Sequence, residues 1–448
     1  MNKNKIMLFY GKFFPNQDYG WFPDSLLFPY SLLKNAGFEP ILIHEYGHED
    51  YETIFREHAQ DCIFLGISCM TGPMIESSIR AVKKFRKYAP EVPVVWGGGH
   101  PTAAPYLTAK SEYCDYVHVG FTKQTFVEMT KALQAGDTPT HLPDIVDEEY
   151  FRCSGTTQYS IQDPLVDYSN FPRLALESLD YSYLITENRV LNYTSSTGCH
   201  GGCSFCTWGG KHPWVHRNLD HVLDEIEYLV NRYALRSLWI SDASLSGDRE
   251  YMLALAEGIK QRNLNIWWRC HGRVVELQHF DHSDFQLLEE CGLDRIFVGV
   301  ENVEPKVQKL FYKVFDPEKV TKLCENMKGF KIQLYMSLIF GNPGETPSTI
   351  HKNKAYIDKW KSINSRTGFQ ICFFTPYPGT TANVEKCGYE PPASLEEYAS
   401  SPFFSDLDRK VFLLPWYEQS LREEYMETYR KLFPTTDNAP QWNWRDHE

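Results

Sequence analysis

Short apolar runs alternate with helix-like runs along most of the chain, and this alternation constrains the fold more than any other feature. In the amino-terminal part the candidate strands are Lys5–Phe9, Pro40–His44, Cys62–Ile67, Val92–Trp96 and Asp115–Val119. Between the third and fourth of these strands, Ile75–Lys87 carries apolar residues at helical spacing. Strands that alternate with helices predict a parallel, doubly wound α/β sheet of the Rossmann-like kind, which binds ligands beyond the carboxyl ends of its strands.

The alternation returns in the second half of the chain. Its candidate strands are Val190–Ser195, Ser237–Ser241, Asn265–Cys270, Arg295–Val300, Ile332–Phe340 and Gly368–Phe374. The helices between them include Leu219–Arg232, whose apolar residues also recur at helical spacing. Six strand–helix units predict a partial (β/α)6 barrel rather than a complete eight-stranded one, with its chemistry at the carboxyl ends of the strands.

These patterns divide the chain into four predicted parts. They are a doubly wound domain over residues 1–135, a linker over 136–188, a partial barrel over 189–385 and a short, mainly helical region over 386–448. The linker is rich in proline and acidic residues and has few periodic runs. The last region includes the predicted helix Trp416–Leu432, and its aromatic residues, Trp442 and Trp444 among them, are expected to pack in a core.

Charge and hydropathy exclude several classes of partner. The formal net charge of −13 weighs against a broad nucleic-acid-binding surface. No apolar run is long enough to span a membrane, and the run after the amino terminus is too short for a signal peptide, so we expect a cytoplasmic protein. Twelve cysteines scattered through a chain of this size do not indicate a disulfide framework.

Three of the cysteines, Cys199, Cys203 and Cys206, crowd together in a glycine-rich segment after the first barrel strand. Soft thiolates suit zinc or iron–sulfur clusters. Structural zinc normally has four protein ligands, and a fourth nearby cysteine is absent. Three thiolates would leave one iron of a cluster open for a substrate. Zinc stays an alternative, with His200 or His212 as its fourth ligand.

The spacing CxxxCxxC, with an aromatic residue before the last cysteine, resembles the radical S-adenosylmethionine superfamily. The resemblance implies a 4Fe–4S cluster whose open iron binds the amino and carboxylate groups of S-adenosylmethionine. Reduction of that cluster releases a 5′-deoxyadenosyl radical. The resemblance also implies contacts with S-adenosylmethionine from Phe205, Ser241, Asp242, Arg273, Glu301 and Gly341. Considered locally, Asp242 could be a helix cap and Arg273 a surface ion pair, and the glycine turn at 341 could only shape its loop.

The strand ends of the amino-terminal domain resemble those of the cobalamin-binding domain, which has a serine after one strand and a glycine pair after a later one. The implied cobalamin contacts are Ser68, Met70, Thr71, Gly97, Gly98, Gly99, Pro101, Val119 and Gly120. Glycines let a bulky ring or nucleotide approach the backbone. The cobalt-ligating histidine that many members carry after the first strand is missing from Gly11–Asp24. A domain that kept its fold and lost the cofactor stays the alternative.

Together the resemblances imply a cobalamin-dependent radical S-adenosylmethionine enzyme. The leading hypothesis is a methyltransferase that acts on an unactivated carbon of a small-molecule or peptide substrate. One S-adenosylmethionine would methylate reduced cobalamin, and another would yield the radical that abstracts hydrogen from the substrate. An electron donor such as flavodoxin or ferredoxin is the implied protein partner. The alternatives are a cyclase, rearrangement or oxidation enzyme without methyl transfer, and a non-enzymatic iron–sulfur or cobalamin carrier.

The remaining histidines and cysteines are expected to be structural. His44, His48 and His100 stand alone near loop ends, where histidines are more often solvated or structural than ligands. Cysteines within strand- or helix-like runs, such as Cys69 and Cys372, are expected to be buried packing residues.

Overall fold

The computed structural model describes residues 3–12, 22–162, 174–185, 190–207, 213–380, 382, 384–401 and 414–432. By its internal contacts the chain divides into two compact units. The first comprises Met1–Thr186, Tyr377–Gly379 and Pro391–Ser405, and the second comprises Glu187–Pro376, Thr380–Glu390 and Asp406–Glu448.

The first unit is built on a six-stranded sheet. Its strands are β1 (Lys5–Tyr10), β2 (Glu39–His44), β3 (Cys62–Ser68), β4 (Val94–Gly97), β5 (Tyr116–His118) and β6 (Ile145–Val146). The spatial order is β2-β1-β3-β4-β5-β6; the first five strands pair in parallel and β6 is antiparallel to β5. Every residue of the central strand β3 is buried, as expected where helices cover both faces of a parallel sheet.

The helices of the first unit follow the predicted alternation. They are α1 (Asp24–Asn35), α2 (Tyr51–His58), α3 (Pro73–Arg86), α4 (Gly99–Ala103), α5 (Pro105–Ala109), α6 (Gln124–Ala135), α7 (Glu148–Ser154) and α8 (Leu174–Ser178). Single-turn helices lie at Ala59–Asp61, Pro139–His141 and Ser182–Leu184. Helix α3 buries Ile75, Ile79, Val82 and Phe85, the apolar face that its sequence spacing predicts.

The second unit contains a six-stranded, entirely parallel sheet and a short hairpin. Its strands are β7 (Val190–Tyr193), β8 (Ser196–Thr197), β9 (Val215–His216), β10 (Ser237–Ile240), β11 (Trp267–Gly272), β12 (Leu293–Glu301), β13 (Gln333–Phe340) and β14 (Gly368–Phe373). The sheet order is β14-β13-β12-β11-β10-β7, and β8 pairs with β9 in the hairpin. Along β13, buried and half-buried residues alternate, so only one face of this strand is fully covered.

Helices connect these strands, as a parallel sheet requires. They are α9 (Leu219–Tyr233), α10 (Arg249–Gln261), α11 (Val274–Leu277), α12 (His282–Glu290), α13 (Pro305–Leu310), α14 (Pro317–Asn326) and α15 (Pro347–Ile363). In the described part of the remaining chain two helices follow, α16 (Leu395–Ser400) in the first unit and α17 (Gln419–Leu432) in the second, and single turns lie at Leu245–Gly247 and Val384–Cys387. Among the described helices, none combines the length and the apolar character needed to cross a bilayer.

The predicted fold class is confirmed. Each predicted strand is present, and its ends lie within two residues of the predicted ends. The predicted helix Trp416–Leu432 begins three residues later, at Gln419. Trp442, Trp444 and His212 lie outside the described residues.

The structure differs from the prediction in the segments around the barrel. Within the predicted linker, Ile145–Val146 adds an edge strand to the first sheet, and a strand of two residues is too short to give a periodic signal. The segment Pro391–Ser405 belongs to the first unit, where α16 packs against α3. Cys69 is buried as expected, whereas Cys372 on β14 is only half-buried.

Candidate functional site

Asp242, which follows β10, holds the start of the cysteine loop. Its carboxylate accepts hydrogen bonds from the Ser195 N–H at 2.7 Å, the Ser195 hydroxyl at 2.6 Å and the Ser196 hydroxyl at 2.7 Å. Burial raises the pKa of Asp242, and these hydrogen bonds oppose that shift. Asp242 is therefore an anchor for the loop rather than a helix cap. Its contact with S-adenosylmethionine stays a prediction. For that contact, one carboxylate oxygen of Asp242 would have to accept an additional hydrogen bond from the ligand.

The three cysteines lie along the anchored loop, and each is half-buried. The Gly201 N–H donates to Cys199 Sγ at 3.3 Å, and the Cys206 N–H donates to the Cys203 carbonyl at 3.2 Å. Within the described ranges, no three His, Cys, Asp or Glu side chains converge on the position of a single metal ion. A 4Fe–4S cluster binds each thiolate to a different iron, so its ligands stand farther apart than those of one ion. Three half-exposed thiols on one glycine-rich loop fit such a cluster.

Arg273, which follows β11, lies against the cysteine loop. A Cβ added at Gly201 would stand 3.1 Å from the guanidinium carbon of Arg273, so glycine at this position lets the cation approach. Arg273 Nη1 is 3.1 Å from Glu276 Oε1, and both side chains are largely buried. The structure thus brings Arg273 to the loop, and its contact with S-adenosylmethionine remains a prediction.

Glu276, on the short helix α11, is a residue of this region that the sequence analysis missed. Its carboxylate accepts hydrogen bonds from the hydroxyls of Ser244 and Ser246 as well as from Arg273. His200 Nδ1 lies 3.9 Å from Glu276 Oε1, so the proposed fourth zinc ligand stands beside a carboxylate. The one sequence signal for Glu276 is its position three residues after Arg273, which is favourable for ion pairing on a helix.

Glu301 ends β12 in a left-handed backbone conformation, with φ of 62°. Its carboxylate accepts hydrogen bonds from Lys313 Nζ at 2.8 Å and from the Ser337 hydroxyl at 3.3 Å. A side chain at Gly299 would collide with this carboxylate and with Lys313 Nζ. Strained non-glycine residues at strand ends are frequent in functional sites. Lys313 and Ser337 were missed because they lie far from Glu301 in the sequence.

Cys203 lies close enough to Arg273, Lys313 and Glu301 for their charges to affect its thiol. Burial raises the pKa of its thiol, a shift that Lys313 and Arg273 oppose and that Glu301 and Cys206 reinforce. Two cations, Arg273 and Lys313, and one carboxylate, Glu301, therefore act on this cysteine of the loop. An amino acid carries an ammonium and a carboxylate, so the opposite charges of Arg273 and Glu301 can bind the amino-acid end of a ligand.

Phe205, within the loop, and Ser241, directly after β10, contact other parts of the second unit. The Phe205 ring packs against Phe311 with centroids 4.7 Å apart, and it is half-buried. The Ser241 hydroxyl donates to the Tyr193 carbonyl at 3.3 Å. Both residues stand at the carboxyl end of the sheet, as predicted, while their ligand contacts stay predictions.

Gly341 belongs to a buried turn organised by Glu345. The Gly341 N–H donates to Glu345 Oε2 at 2.6 Å and to the Tyr425 hydroxyl at 2.8 Å, and its carbonyl accepts a hydrogen bond from Trp416 Nε1 at 3.2 Å. Burial raises the pKa of Glu345, and hydrogen bonds from Asn342 and Gly341 oppose the shift. The described contacts of Gly341 are thus those of a structural turn that joins β13 to the segment before α17.

The glycine-rich strand end of the first unit leaves its backbone open. A Cβ added at Gly97 or Gly99 would meet no atom closer than 3.7 Å or 3.9 Å, respectively. Gly98 is different: its φ is 94°, and a Cβ there would stand 2.9 Å from the backbone of Cys69. Met70 beside these glycines is 46% exposed. Open backbone on both sides of Gly98 fits a bulky cofactor that approaches the chain closely.

The predicted hydroxyl contacts lie at the end of β3 and already have neighbours. Ser68 Oγ is 2.7 Å from Ser25 Oγ, and Thr71 Oγ1 is 2.9 Å from His100 Nδ1. His100 is fully buried, and burial lowers its pKa to about 3, so the imidazole is neutral. Hydroxyls with one partner can still accept or donate a second hydrogen bond to a ligand.

The remaining predicted cobalamin residues shape the loops after β4 and β5. Pro101 is buried in α4, and the Gly120 N–H donates to the Thr102 hydroxyl at 2.9 Å. Val119 is buried, and its N–H donates to the Asp144 carbonyl at 2.8 Å. These contacts are structural, and their role toward cobalamin stays a prediction. Most of the stretch Gly11–Asp24, in which the cobalt-ligating histidine is missing, lies outside the described residues.

Two models of known protein domains match this chain. The model of the B12 binding domain matches residues 25–130, and the model of the radical SAM superfamily matches residues 193–356. The chain carries a B12-binding domain followed by a radical SAM domain. It is therefore a cobalamin-dependent radical S-adenosylmethionine enzyme, and the predicted cofactors, a 4Fe–4S cluster, S-adenosylmethionine and cobalamin, are confirmed at the level of the domains.

Relatives extend this comparison. An uncharacterised methyltransferase of Pyrococcus horikoshii is 26% identical over 347 residues, which cover 76% of this chain and 72% of that protein. The ribosomal protein uS12 methylthiotransferase RimO of Xanthomonas euvesicatoria is 28% identical over 223 residues, about half of each chain. The radical S-adenosylmethionine methyltransferase TsrM of Kitasatospora setae, solved with cobalamin and a [4Fe-4S] cluster, has a TM-score of 0.73 at 17% identity over 98% of this chain and 90% of its own. The likeness to TsrM shows a shared fold.

Proposed function

We propose that this radical SAM enzyme transfers a methyl group to an unactivated carbon of a small molecule or peptide. The observation that carries the proposal is a pair of opposite charges near the cysteine loop: Arg273 lies against Gly201, and Glu301 ends the neighbouring strand β12. The same chain has an open glycine-rich strand end in its B12-binding domain. Its P. horikoshii relative, matched over three quarters of this chain, is named a methyltransferase, which favours methyl transfer over other fates of the substrate.

The cysteine loop would hold the cluster through Cys199, Cys203 and Cys206. Bound there, the cluster would supply the electron that cleaves S-adenosylmethionine, and cobalamin in the first unit would supply a carrier for methyl groups. The loop is restrained at two points, because Asp242 holds its start and the Ser204 hydroxyl donates to the carbonyl of Leu310, the last residue of α13. These restraints would keep the three thiols in register for the cluster.

Arg273 and Glu301 would orient the amino-acid end of S-adenosylmethionine. In this role, Arg273 donates to the ligand carboxylate, and Glu276 fixes the guanidinium against Gly201. Glu301 accepts from the ligand ammonium, while Lys313 and Ser337 hold its carboxylate in position. Each ligand-facing group therefore has a second residue that fixes its direction before the ligand arrives, which lowers the cost of binding.

In the first unit, the backbone of Gly97 and Gly99 would lie against the cofactor. The absence of side chains at these positions allows the close approach, and Ser68 and Thr71 offer hydroxyls at the end of β3. The neutral His100 behind Thr71 fixes that hydroxyl without adding a charge near the cofactor.

The proposal is tested with isotopically labelled S-adenosylmethionine. Protein reconstituted anaerobically with iron, sulfide and cobalamin is incubated with a reductant, S-adenosylmethionine with a deuterated methyl group, and an extract of small molecules and peptides. We expect a product whose mass carries the deuterium label, together with S-adenosylhomocysteine and 5′-deoxyadenosine. An unlabelled product formed with 5′-deoxyadenosine would instead indicate a cyclase, rearrangement or oxidation enzyme. Failure to form any 5′-deoxyadenosine would indicate a carrier.

A further inference from the structure

An adjacent pair of apolar side chains stands out on the surface of the second unit. Tyr312 is 69% exposed and Val314 is 64% exposed, the highest values for large apolar side chains among the described residues. Tyr312 has a left-handed backbone with φ of 51°. Between the two, Lys313 is largely buried and bonded to Glu301. This short segment therefore has an apolar outer face and a cationic inner face.

The same segment is joined directly to the cysteine loop. The Ser204 N–H donates to the Phe311 carbonyl at 3.0 Å, and the Ser204 hydroxyl donates to the Leu310 carbonyl at 2.6 Å. Ser204 follows Cys203 in the loop, and Phe311 precedes Tyr312. The exposed Tyr312 is thus the direct neighbour in sequence of Phe311, a residue that is hydrogen-bonded to the cysteine loop proposed to hold the cluster.

The segment that contains this pair is basic in sequence, although the whole chain is acidic. Residues 305–322 contain five lysines and two acidic residues, in a chain with a net charge of −13. Lys306 and Lys309 are exposed, and within the described ranges neither belongs to an ion pair. One of the two acidic residues, Glu318, is paired with Lys359 at 2.8 Å. Exposed lysines within a few residues of an exposed apolar pair complement an acidic protein partner.

We propose that Lys306, Lys309, Tyr312 and Val314 form the docking surface for a small acidic one-electron carrier protein of the flavodoxin or ferredoxin type. The inference rests on the proposed function, because it requires the cluster on the adjacent loop. The carrier is oxidised by one electron and the cluster is reduced by one electron, with no bond formed or broken. The lysines attract the carrier over a distance, and the apolar pair supplies the contact that excludes water.

The experiment uses the full chain reconstituted with its cluster and a flavodoxin reduced to its hydroquinone. Stopped-flow absorbance follows reduction of the cluster, with dithionite as a small reductant that needs no docking surface. The double variant Lys306→Glu/Lys309→Glu reverses two charges at the surface. Lys328→Glu/Lys331→Glu is the matched control, because these exposed lysines precede β13 and so lie at the opposite end of the sheet from the cysteine loop.

We expect the Lys306→Glu/Lys309→Glu variant to lower the rate with flavodoxin about tenfold at low ionic strength and to weaken its salt dependence. The rate with dithionite and both rates of the control variant should be unchanged. Calorimetry of flavodoxin binding to the cluster-free protein gives a second readout, and it should show the same loss. Tyr312→Ser/Val314→Ser should weaken binding without changing the salt dependence.

Unchanged flavodoxin rates and binding in the charge-reversed variant, with a normal iron content, would overturn the docking surface alone. A change in sedimentation of the Tyr312→Ser/Val314→Ser variant, with unchanged flavodoxin rates, would assign the surface to a second copy of this chain and also overturn the proposal. Wild-type protein that binds no iron would overturn the cluster site and the docking surface with it, so the two failures are distinguishable.

Discussion

The two regions predicted to bind cofactors are built from different kinds of residue. Around the cysteine loop, charged groups lie buried or half-buried and each has a partner: Arg273 has Glu276, Glu301 has Lys313, and Asp242 has two serines. At the glycine-rich strand end of the first unit, Gly97 and Gly99 leave the backbone open, and the side chains of Ser68, Thr71 and His100 nearby are neutral. Ion pairs and hydrogen bonds to charged groups fix the side chains around the cysteine loop. At the glycine-rich strand end, the absence of side chains leaves room for a ligand.

The first unit also keeps its buried histidines neutral. Burial lowers the pKa of His44 and His100 to about 3 and that of His118 to about 4. Neutral side chains beside open backbone suit a large, mainly apolar ring system, whereas paired charges suit the zwitterionic end of an amino acid. Loss of one charged partner should therefore damage the second unit, and added bulk should damage ligand binding in the first.

The largest effect is expected from Lys313→Met. The substitution leaves the buried carboxylate of Glu301 without its cation, which should lower the free energy of unfolding by about 3 kcal/mol. Urea unfolding of the cluster-free protein measures this change. The double variant Lys313→Met/Glu301→Gln, which removes both charges, should recover most of the loss. If Lys313→Met is as stable as wild type, the charge pairing around the loop does not stabilise the second unit.

A graded change at Gly97 tests the open backbone of the first unit. Because a Cβ fits there without a close contact, Gly97→Ala and Gly97→Val should both fold, but cobalamin should bind at least about tenfold more weakly to the Val variant. Equilibrium binding of cobalamin, followed by absorbance, gives the affinities, and iron loading should stay normal. Equal affinity in all three proteins would mean that the cofactor does not lie against this strand end.

Glu276→Gln tests whether Glu276 positions Arg273. Loss of the counter-charge should weaken binding of S-adenosylmethionine to the reconstituted protein about fivefold, because Arg273 loses the group that holds it against Gly201. Combined with Arg273→Ala, it should cause no further loss, because a positioning residue acts through the group that it holds. Additive losses in affinity in this double-mutant cycle would give Glu276 an independent role.

The most gradual effect is a pH dependence from the buried histidines. The folded-state pKa of His118 is lowered from 6.5 to about 4, so between these pH values the unfolded chain binds the proton and the folded chain does not. Stability is therefore lost as the pH falls from 6.5 toward 4, by up to about 1.4 kcal/mol per pH unit for each such histidine. His118→Leu should make this slope shallower, and the exposed His141→Gln should leave it unchanged. An identical slope in His118→Leu would exclude His118 as its source.

Features with a local signal in the sequence could be predicted, and features that depend on long-range pairing could not. The strands were found because apolar runs are a local signal, and the cysteines because their spacing lies within eight residues. The partners Lys313 and Ser337 of Glu301 were missed, since pairing across strand ends depends on register and on helix lengths between separate segments. Glu276 was missed because an i,i+3 spacing to Arg273 is a weak signal on its own. Asp242 was assigned to a ligand or a cap, and only the fold reveals the two serines that it anchors.

The segments before and after the barrel were also harder to predict from the sequence, because their contacts are short or long-range. The edge strand Ile145–Val146 is too short to give a period, and the return of Pro391–Ser405 to the first unit is a long-range contact without a local pattern. Sequence therefore predicts elements and ligand-like motifs, whereas the packing that orients them requires the structure.

Metal analysis after reconstitution with iron, sulfide and cobalamin tests whether the chain has two independent cofactor sites. We predict that wild type binds both iron and cobalt, and that Cys199→Ala/Cys203→Ala/Cys206→Ala loses its iron and keeps its cobalt. Gly97→Val should show the reverse, with iron retained and cobalt reduced. Iron retained in the triple cysteine variant, or iron and cobalt lost together in both variants, would contradict this division of the molecule.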